Sequence, residues 1–189
     1  MRNNNTLFWK LIEKEYEMIK AYCYKLADTV ENGDDLLQNS ILKAQGNFGS
    51  LREIEKFRSW LYTITNNTYK ANFRKPWWKK VLSISDEIET QAQTTNPTAF
   101  YEAKRKLNLA FDILSPDDRI LVTLFELEGW KINEISKMIG KSEGSIKMRL
   151  SRARNKMRQK LSRSIQKNGN QSQAKKAREL CFVSKPNKD

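Results

Sequence analysis

Histidine is absent from this 189-residue chain, and cysteine nearly so, with only Cys23 and Cys181. Without imidazole there is no histidine general base, no Ser-His-Asp triad and no histidine-bearing zinc site. Neither cysteine has a neighbouring ligand at metal spacing, so no metal and no other cofactor is expected. Cys23 reads instead as a core thiol in a reducing compartment. No apolar run reaches the roughly 18 residues of a spanning helix, and Met1-Arg2-Asn3-Asn4-Asn5 lacks the apolar core of a secretory signal. A cytoplasmic chain without stable membrane insertion is the expectation. Glycine (7) and proline (4) are scarce, strand-like alternation is missing, and helical periodicity runs almost throughout. The fold class these features predict is all-α.

What the chain does carry is positive charge. Its 35 lysines and arginines outnumber 22 acidic residues, for a net charge of +13. That balance favours a polyanionic partner, with nucleic acid as the default and an acidic membrane surface as the rival. An enzyme acting on nucleic acid is disfavoured, because no convincing carboxylate cluster for metal ions accompanies the missing histidines.

Apolar residues at Phe8, Leu11, Ile12, Ile19, Cys23 and Leu26 mark one face of a long amphipathic helix. Asn32-Gly33 ends it or follows its end. Asp34 or Asp35 can start a second helix with Leu37, Ile41 and Ala44 inward, followed by a loop over residues 46–50 that holds Phe48 between two glycines. Phe57, Trp60, Leu61, Ile64, Thr68 and Ala71 predict a third helix to about Arg74, which Pro76 stops or kinks. These helices make a first small domain, residues 1–78. Residues 79–98, polar and weakly periodic, read as a flexible linker. A second small helical domain spans 99–163. Its first helix follows Pro97, with Phe100, Leu107, Ala110, Phe111 and Leu114 inward. Ser115-Pro116-Asp117-Asp118 then starts a helix by cap, proline and dipole. That helix ends near Gly129. Ile132, Ile135, Met138 and Ile139 form the next, closed by Gly140. Ser142 caps a last helix with Ile146, Leu150, Ala153, Met157 and Leu161 inward. Residues 164–189 read as a basic, disordered tail.

The last two helices of that domain have the spacing of a helix-turn-helix, whose second helix enters the major groove. At about 100° per residue, its outward face holds Ser145, Met148, Ser151, Arg152 and Asn155, flanked by Lys147 and Arg149. Arginine suits guanine edges, lysine and serine serve phosphates, and methionine touches a thymine methyl. A solvated cationic face is the bland alternative. The glycine turn, the capping serine and the one-sided charge coincide here and favour DNA contact.

At this point the residues resemble a known family. Residues 114–161, LSPDDRILVTLFELEGWKINEISKMIGKSEGSIKMRLSRARNKMRQKL, resemble region four of bacterial sigma factors, through the LxxxxR opening, the ExEG bend, the EIS helix and SIKMRLSRAR. DDLLQNSILKA resembles the DLxQxxFxKA helix of region two, and FRSWLYTITNNTYKANFRK its promoter-melting helix. With no large domain between the halves, the chain resembles the compact extracytoplasmic-function (ECF) group.

The resemblance implies a non-catalytic initiation factor that binds RNA polymerase core and directs it to promoters. It implies that Asp35 and Gln38 dock on the polymerase; the bland reading is a helix cap for Asp35 and a solvated Gln38. It implies that Phe48, Tyr62, Asn66, Asn67, Lys70, Arg74 and Lys75 melt and capture the −10 element, with Lys79 and Lys80 extending the phosphate track. Trp77 and Trp78 either stack on DNA or cover the domain's end. It implies that Ser145, Lys147, Met148, Arg149, Ser151, Arg152 and Asn155 serve the double-stranded −35 element. An anti-sigma factor is the implied controller. Ala71, Met148 and Trp130 depart from the family's usual residues. The alternative is a stand-alone helix-turn-helix regulator that acts without polymerase, against which the DDLLQ and FRSWLYTITNN segments argue.

Overall fold

The computed structural model describes the backbone of residues 2–73 and 108–183, and side chains over 5–73 and 108–163. All regular structure among the described residues is helical. The linker, the Pro97 helix start, Phe100, Leu107, Arg74, Lys75, Trp77, Trp78, Lys79 and Lys80 lie outside them.

In the N-terminal half, α1 (Arg2–Leu26), α2 (Val30–Asn47) and α3 (Phe57–Phe73) pack on one another. Phe8, Ile12, Ile19, Cys23 and Leu26 are buried as the periodicity predicts, and Tyr22 joins them. Burial pushes the Cys23 thiol up to about 12, as suits an inert core thiol.

The α1–α2 boundary differs from the expectation. Asn32-Gly33 does not end a helix. α2 starts at Val30 because Thr29 adopts extended backbone and its hydroxyl accepts the Asn32 amide at 3.1 Å. Gly33 sits within the first turns, where a Cβ would lie 2.5 Å from the Tyr24 ring. The helix also runs on through Gly46, and Phe48–Ser50 is a 3₁₀ turn rather than an open loop. A second 3₁₀ turn, Ile54–Lys56, leads into α3.

In the C-terminal half, α4 (Pro116–Val122) is capped by Ser115, whose hydroxyl accepts the Asp118 amide at 3.2 Å. It runs on into one π-helical turn, Thr123–Leu127. Gly129, at φ 71°, reverses the chain. α5 (Ile132–Ile139) begins where the Glu134 carboxylate accepts the Lys131 amide at 2.8 Å. It ends at Gly140, left-handed at φ 69°, whose N–H bonds Ser136 O. Ser142 then caps α6 (Glu143–Val183) by accepting the Ser145 amide at 3.3 Å. Ile146, Leu150 and Ala153 of α6 are buried against α4 and α5. Beyond Ser162, where the sequence suggests a disordered tail, the backbone stays helical through Val183. That stretch is rich in Lys, Gln, Ala, Arg and Glu and meets no proline before Pro186.

The two halves touch. Arg119 of α4 bonds Asp28 of the α1–α2 corner at 2.6 Å, with both side chains buried. Glu128 pairs with Lys25 at 2.7 Å and accepts the Tyr62 hydroxyl at 3.0 Å. Asn66 Nδ2 donates to Met138 Sδ at 3.6 Å. Local periodicity carries no trace of these contacts, because each joins residues far apart in sequence.

Candidate nucleic-acid interface

On α6 the turn at Gly140 and the Ser142 cap aim one strip outward. Ser145, Lys147, Met148, Ser151, Arg152 and Asn155 are all exposed on it. Met148 is 56% exposed, which is unusual for a large apolar side chain without a partner to meet. Arg152 Nη2 lies 3.2 Å from Met148 Sδ, so the two side chains lean together as one contact surface. Asn155 accepts from Arg158 at 3.0 Å.

Arg149 is placed differently from its neighbours. Its Nε and Nη2 donate to Asp118 Oδ1 at 3.2 and 2.9 Å, turning it inward toward α4. Lys156 adds a contact at 3.6 Å to the other carboxylate oxygen. Burial pushes the Asp118 carboxyl up, but hydrogen bonds from Ser115 and Arg149, with the charges of Arg149 and Lys156, outweigh it and hold the group below its ordinary value. Asp118 is thus the anchor that fixes the recognition helix to α4. From sequence it carried only the role of a helix-start acid, because its partner lies 31 residues away.

On α3 the residues divide. Asn67 is exposed, and Lys70 is half-buried, 3.7 Å from Asp117. Tyr62 and Asn66 are buried, at 0% and 5% exposure. Asn66 Oδ1 accepts the Tyr22 hydroxyl at 2.5 Å, and the Tyr22 and Tyr62 rings stand 4.6 Å apart. Burial first, then the Glu128 carboxylate, drives the Tyr62 phenol well above its ordinary value, against a weaker pull from Arg58. It therefore stays a neutral donor. Phe48 is half-buried in an aromatic cluster, with ring centroids 5.3 Å from Phe8, 6.2 Å from Phe57 and 6.3 Å from Trp60. Arg74 and Lys75 lie outside the described residues.

Sequence reasoning passed over Arg58. Its guanidinium lies 5.8 Å from the Tyr62 ring centroid and 5.1 Å from that of Trp130, and Glu15 pairs with it at 3.6 Å. An arginine between core aromatics on a cationic chain carries no signal of its own.

On α2, Asp35 and Gln38 are both exposed on one face, and Leu42 follows one turn on at 57% exposure. Asp35 is not a helix cap, since Thr29 holds that position. Leu42 is the apolar member of this face that periodicity alone did not single out.

Residues 11–79 match the family model described as Sigma-70 region 2, and residues 104–157 match Sigma-70, region 4. The chain is 30% identical over 139 residues to the RNA polymerase sigma factor CarQ of Myxococcus xanthus, covering 72% of this chain and 80% of that one. It is 27% identical over 139 residues to the ECF RNA polymerase sigma factor EcfG of Rhodopseudomonas palustris (strain TIE-1), covering 74% and 76%. Among solved structures, it is similar to the sigma factor RpoE from Bartonella quintana, crystallised with the anti-sigma factor NepR. The TM-score is 0.60 at 23% identity, over 82% of this chain and 96% of that one.

Proposed function

Because the chain belongs to the ECF group of the sigma-70 family of RNA polymerase sigma factors, we propose which of its surfaces do the work of promoter-directed initiation. It is a transcription initiation factor that directs RNA polymerase to promoters. Sigma factors are regulatory subunits rather than catalysts, so the surfaces that matter are for docking and reading.

The exposed strip on α6 is the single observation that carries the reading. Six side chains suited to phosphates and base edges share one face at the N-terminal half of a rigid helix, fixed by the Gly140 turn and the Asp118–Arg149 anchor. Such a helix reads the double-stranded −35 element. Arg152 supplies the guanine contact and Met148 the apolar one, with Lys147, Ser145 and Ser151 on phosphates. Arg149 acts on the protein side, through Asp118. In the N-terminal half, Asp35 and Gln38 present a carboxylate and an amide to the polymerase beside exposed Leu42. Tyr62, Asn66, Asn67 and Lys70 serve the melted −10 strand by stacking, amide bonding and charge. An anti-sigma factor controls the chain, as NepR accompanies RpoE in the similar structure.

Transcription of a pool of genomic promoters by core polymerase, with and without the chain, tests the assignment. New discrete start sites that need both components are the expected result, and Asp35→Arg abolishes them by removing core binding. Normal core affinity of a folded Asp35→Arg chain overturns the docking face. Tight sequence-specific DNA binding with no affinity for core polymerase overturns the polymerase-dependent reading.

A further inference from the structure

Trp130 occupies an unusual seat. It follows Gly129, whose left-handed backbone turns the chain back toward α3. Hydrogen bonds from the Glu128 and Trp130 amides to Thr123 O and Leu124 O, both 3.0 Å, hold this reversal. The indole therefore crosses from the C-terminal half onto the N-terminal half. Its ring lies 5.0 Å from that of Tyr62, with the Arg58 guanidinium 5.1 Å from its centroid. An aromatic ring faced by a tyrosine and a guanidinium is how proteins hold an unpaired base.

The seat fits the indole's face but not its edge. Trp130 Nε1 is buried with no hydrogen-bond partner, whereas the Tyr62 hydroxyl and both amide atoms of Asn66 are bonded. A buried indole N–H normally finds an acceptor. The missing one marks Trp130 as a poorer occupant than a group with polar edges of its own. Beside the seat lies a cleft of about 1120 Å³ lined by both halves, Arg58, Trp60, Glu128, Trp130 and Met138 among its residues. The indole can therefore leave without unpacking a core.

We propose that Tyr62 and Arg58 form a nucleobase-stacking site and that Trp130 is its internal occupant, so that the free chain keeps its own single-strand-capturing face closed. The inference rests on the reading of α3 as the face that takes melted DNA. It adds Arg58 to that face and gives the C-terminal half a second role. Glu128 is the latch: only 7% exposed, it binds Lys25 at 2.7 Å and the Tyr62 hydroxyl at 3.0 Å. The other named contacts across this boundary are a buried ion pair, Arg119–Asp28, a weak amide–sulfur bond, Asn66–Met138, and the Lys70–Asp117 pair. An interface made of such contacts resembles a transient one more than a continuous core, and it can separate as a unit. A base entering the seat and Trp130 leaving it are one exchange.

The decisive variant is Lys25→Glu in the full chain. It lies at the end of α1 with its side chain 39% exposed, away from the DNA-reading residues and both cores. It sets a second carboxylate against buried Glu128, and opening relieves that repulsion. It also makes the chain less cationic, so simple electrostatics predicts weaker DNA binding while unlatching predicts tighter binding.

Small-angle scattering and fluorescence anisotropy with a mixed-sequence single-stranded DNA 20-mer read the two consequences separately. The expected result is a larger radius of gyration and about tenfold tighter single-strand binding, equivalent to roughly 1.4 kcal/mol. Both return to wild-type values in the charge-swapped Lys25→Glu/Glu128→Lys chain. Trp130→Ala is expected to tighten binding as well, and Lys25→Glu/Arg58→Ala to lose the gain. An unchanged radius in Lys25→Glu overturns the latch. An expanded Lys25→Glu chain with no gain in single-strand affinity overturns the masking. Failure of the underlying reading has its own signature: wild-type holoenzyme that initiates normally with Tyr62→Ala and Asn67→Ala in place.

Discussion

Gly33→Ala pits a local preference against a tertiary contact within one helix. In the interior of a helix, alanine is favoured over glycine by about 0.5–1 kcal/mol, so propensity alone predicts a more stable chain. The structure predicts the reverse. A Cβ at position 33 would meet Tyr24 Cδ1, Cε1 and Cγ at 2.5, 2.9 and 3.2 Å. These atoms include the root of the ring, so the whole side chain must swing aside. That motion breaks the hydrogen bond from the Tyr24 hydroxyl to Asp34. Overpacking of this kind costs about 1–3 kcal/mol, which exceeds the propensity gain and leaves a net loss of roughly 1 kcal/mol. Gly46 lies in the same helix with nothing within 4 Å of its added Cβ, so Gly46→Ala keeps the full gain. Urea denaturation followed by far-ultraviolet circular dichroism compares the two. Gly33→Ala should move the midpoint down and Gly46→Ala up. On a Tyr24→Ala background, where the ring is gone, Gly33→Ala should become stabilising. Equal stabilisation by both substitutions in the wild-type background refutes the steric argument.

Arg152→Ala should weaken discrimination between promoter sequences by about 1–3 kcal/mol. Arg149→Ala should leave that discrimination unchanged while speeding amide exchange at Ile146 and Leu150, since it releases α6 from Asp118. Binding to promoter variants and native-state hydrogen exchange separate the two arginines, and interchangeable behaviour refutes the distinction. The depressed Asp118 carboxyl stabilises the fold at pH values above its ordinary unfolded value of about 3.9. That contribution is lost as pH falls through the lower folded value. Urea midpoints measured from neutral pH downward should therefore show a shallower acid decline in Asp118→Asn than in wild type. Parallel declines remove Asp118 from the acid response.

Much of the fold is legible because helices are local. The inward residues of α1 and α6 recur at the helical period, and Ser115, Gly140 and Ser142 act at the termini where their chemistry predicts. The misplaced boundary at Asn32-Gly33 has a local cause. Glycine reads as a stop signal, yet here it makes room for Tyr24, and the less conspicuous Thr29 supplies the cap. The candidate site divides in the same way. On α6, which side chains face outward follows from 100° per residue, so the exposed strip was visible in the sequence. Arg149 was not separable from its neighbours, because its direction depends on Asp118 across a helix pair.

The sequence by itself determined the helical class, the two halves and their order, the helix-turn-helix and the cationic face. Each of these is set by composition or by interactions within a few residues. Only the tertiary structure decided that Tyr62 and Asn66 are covered, that Arg58 flanks them, and that Trp130 and Glu128 reach across from the other half. Those relations join residues 58–66 to residues 128–138. No local period connects such distant segments, and only the packing of two completed helical layers brings them within bonding distance.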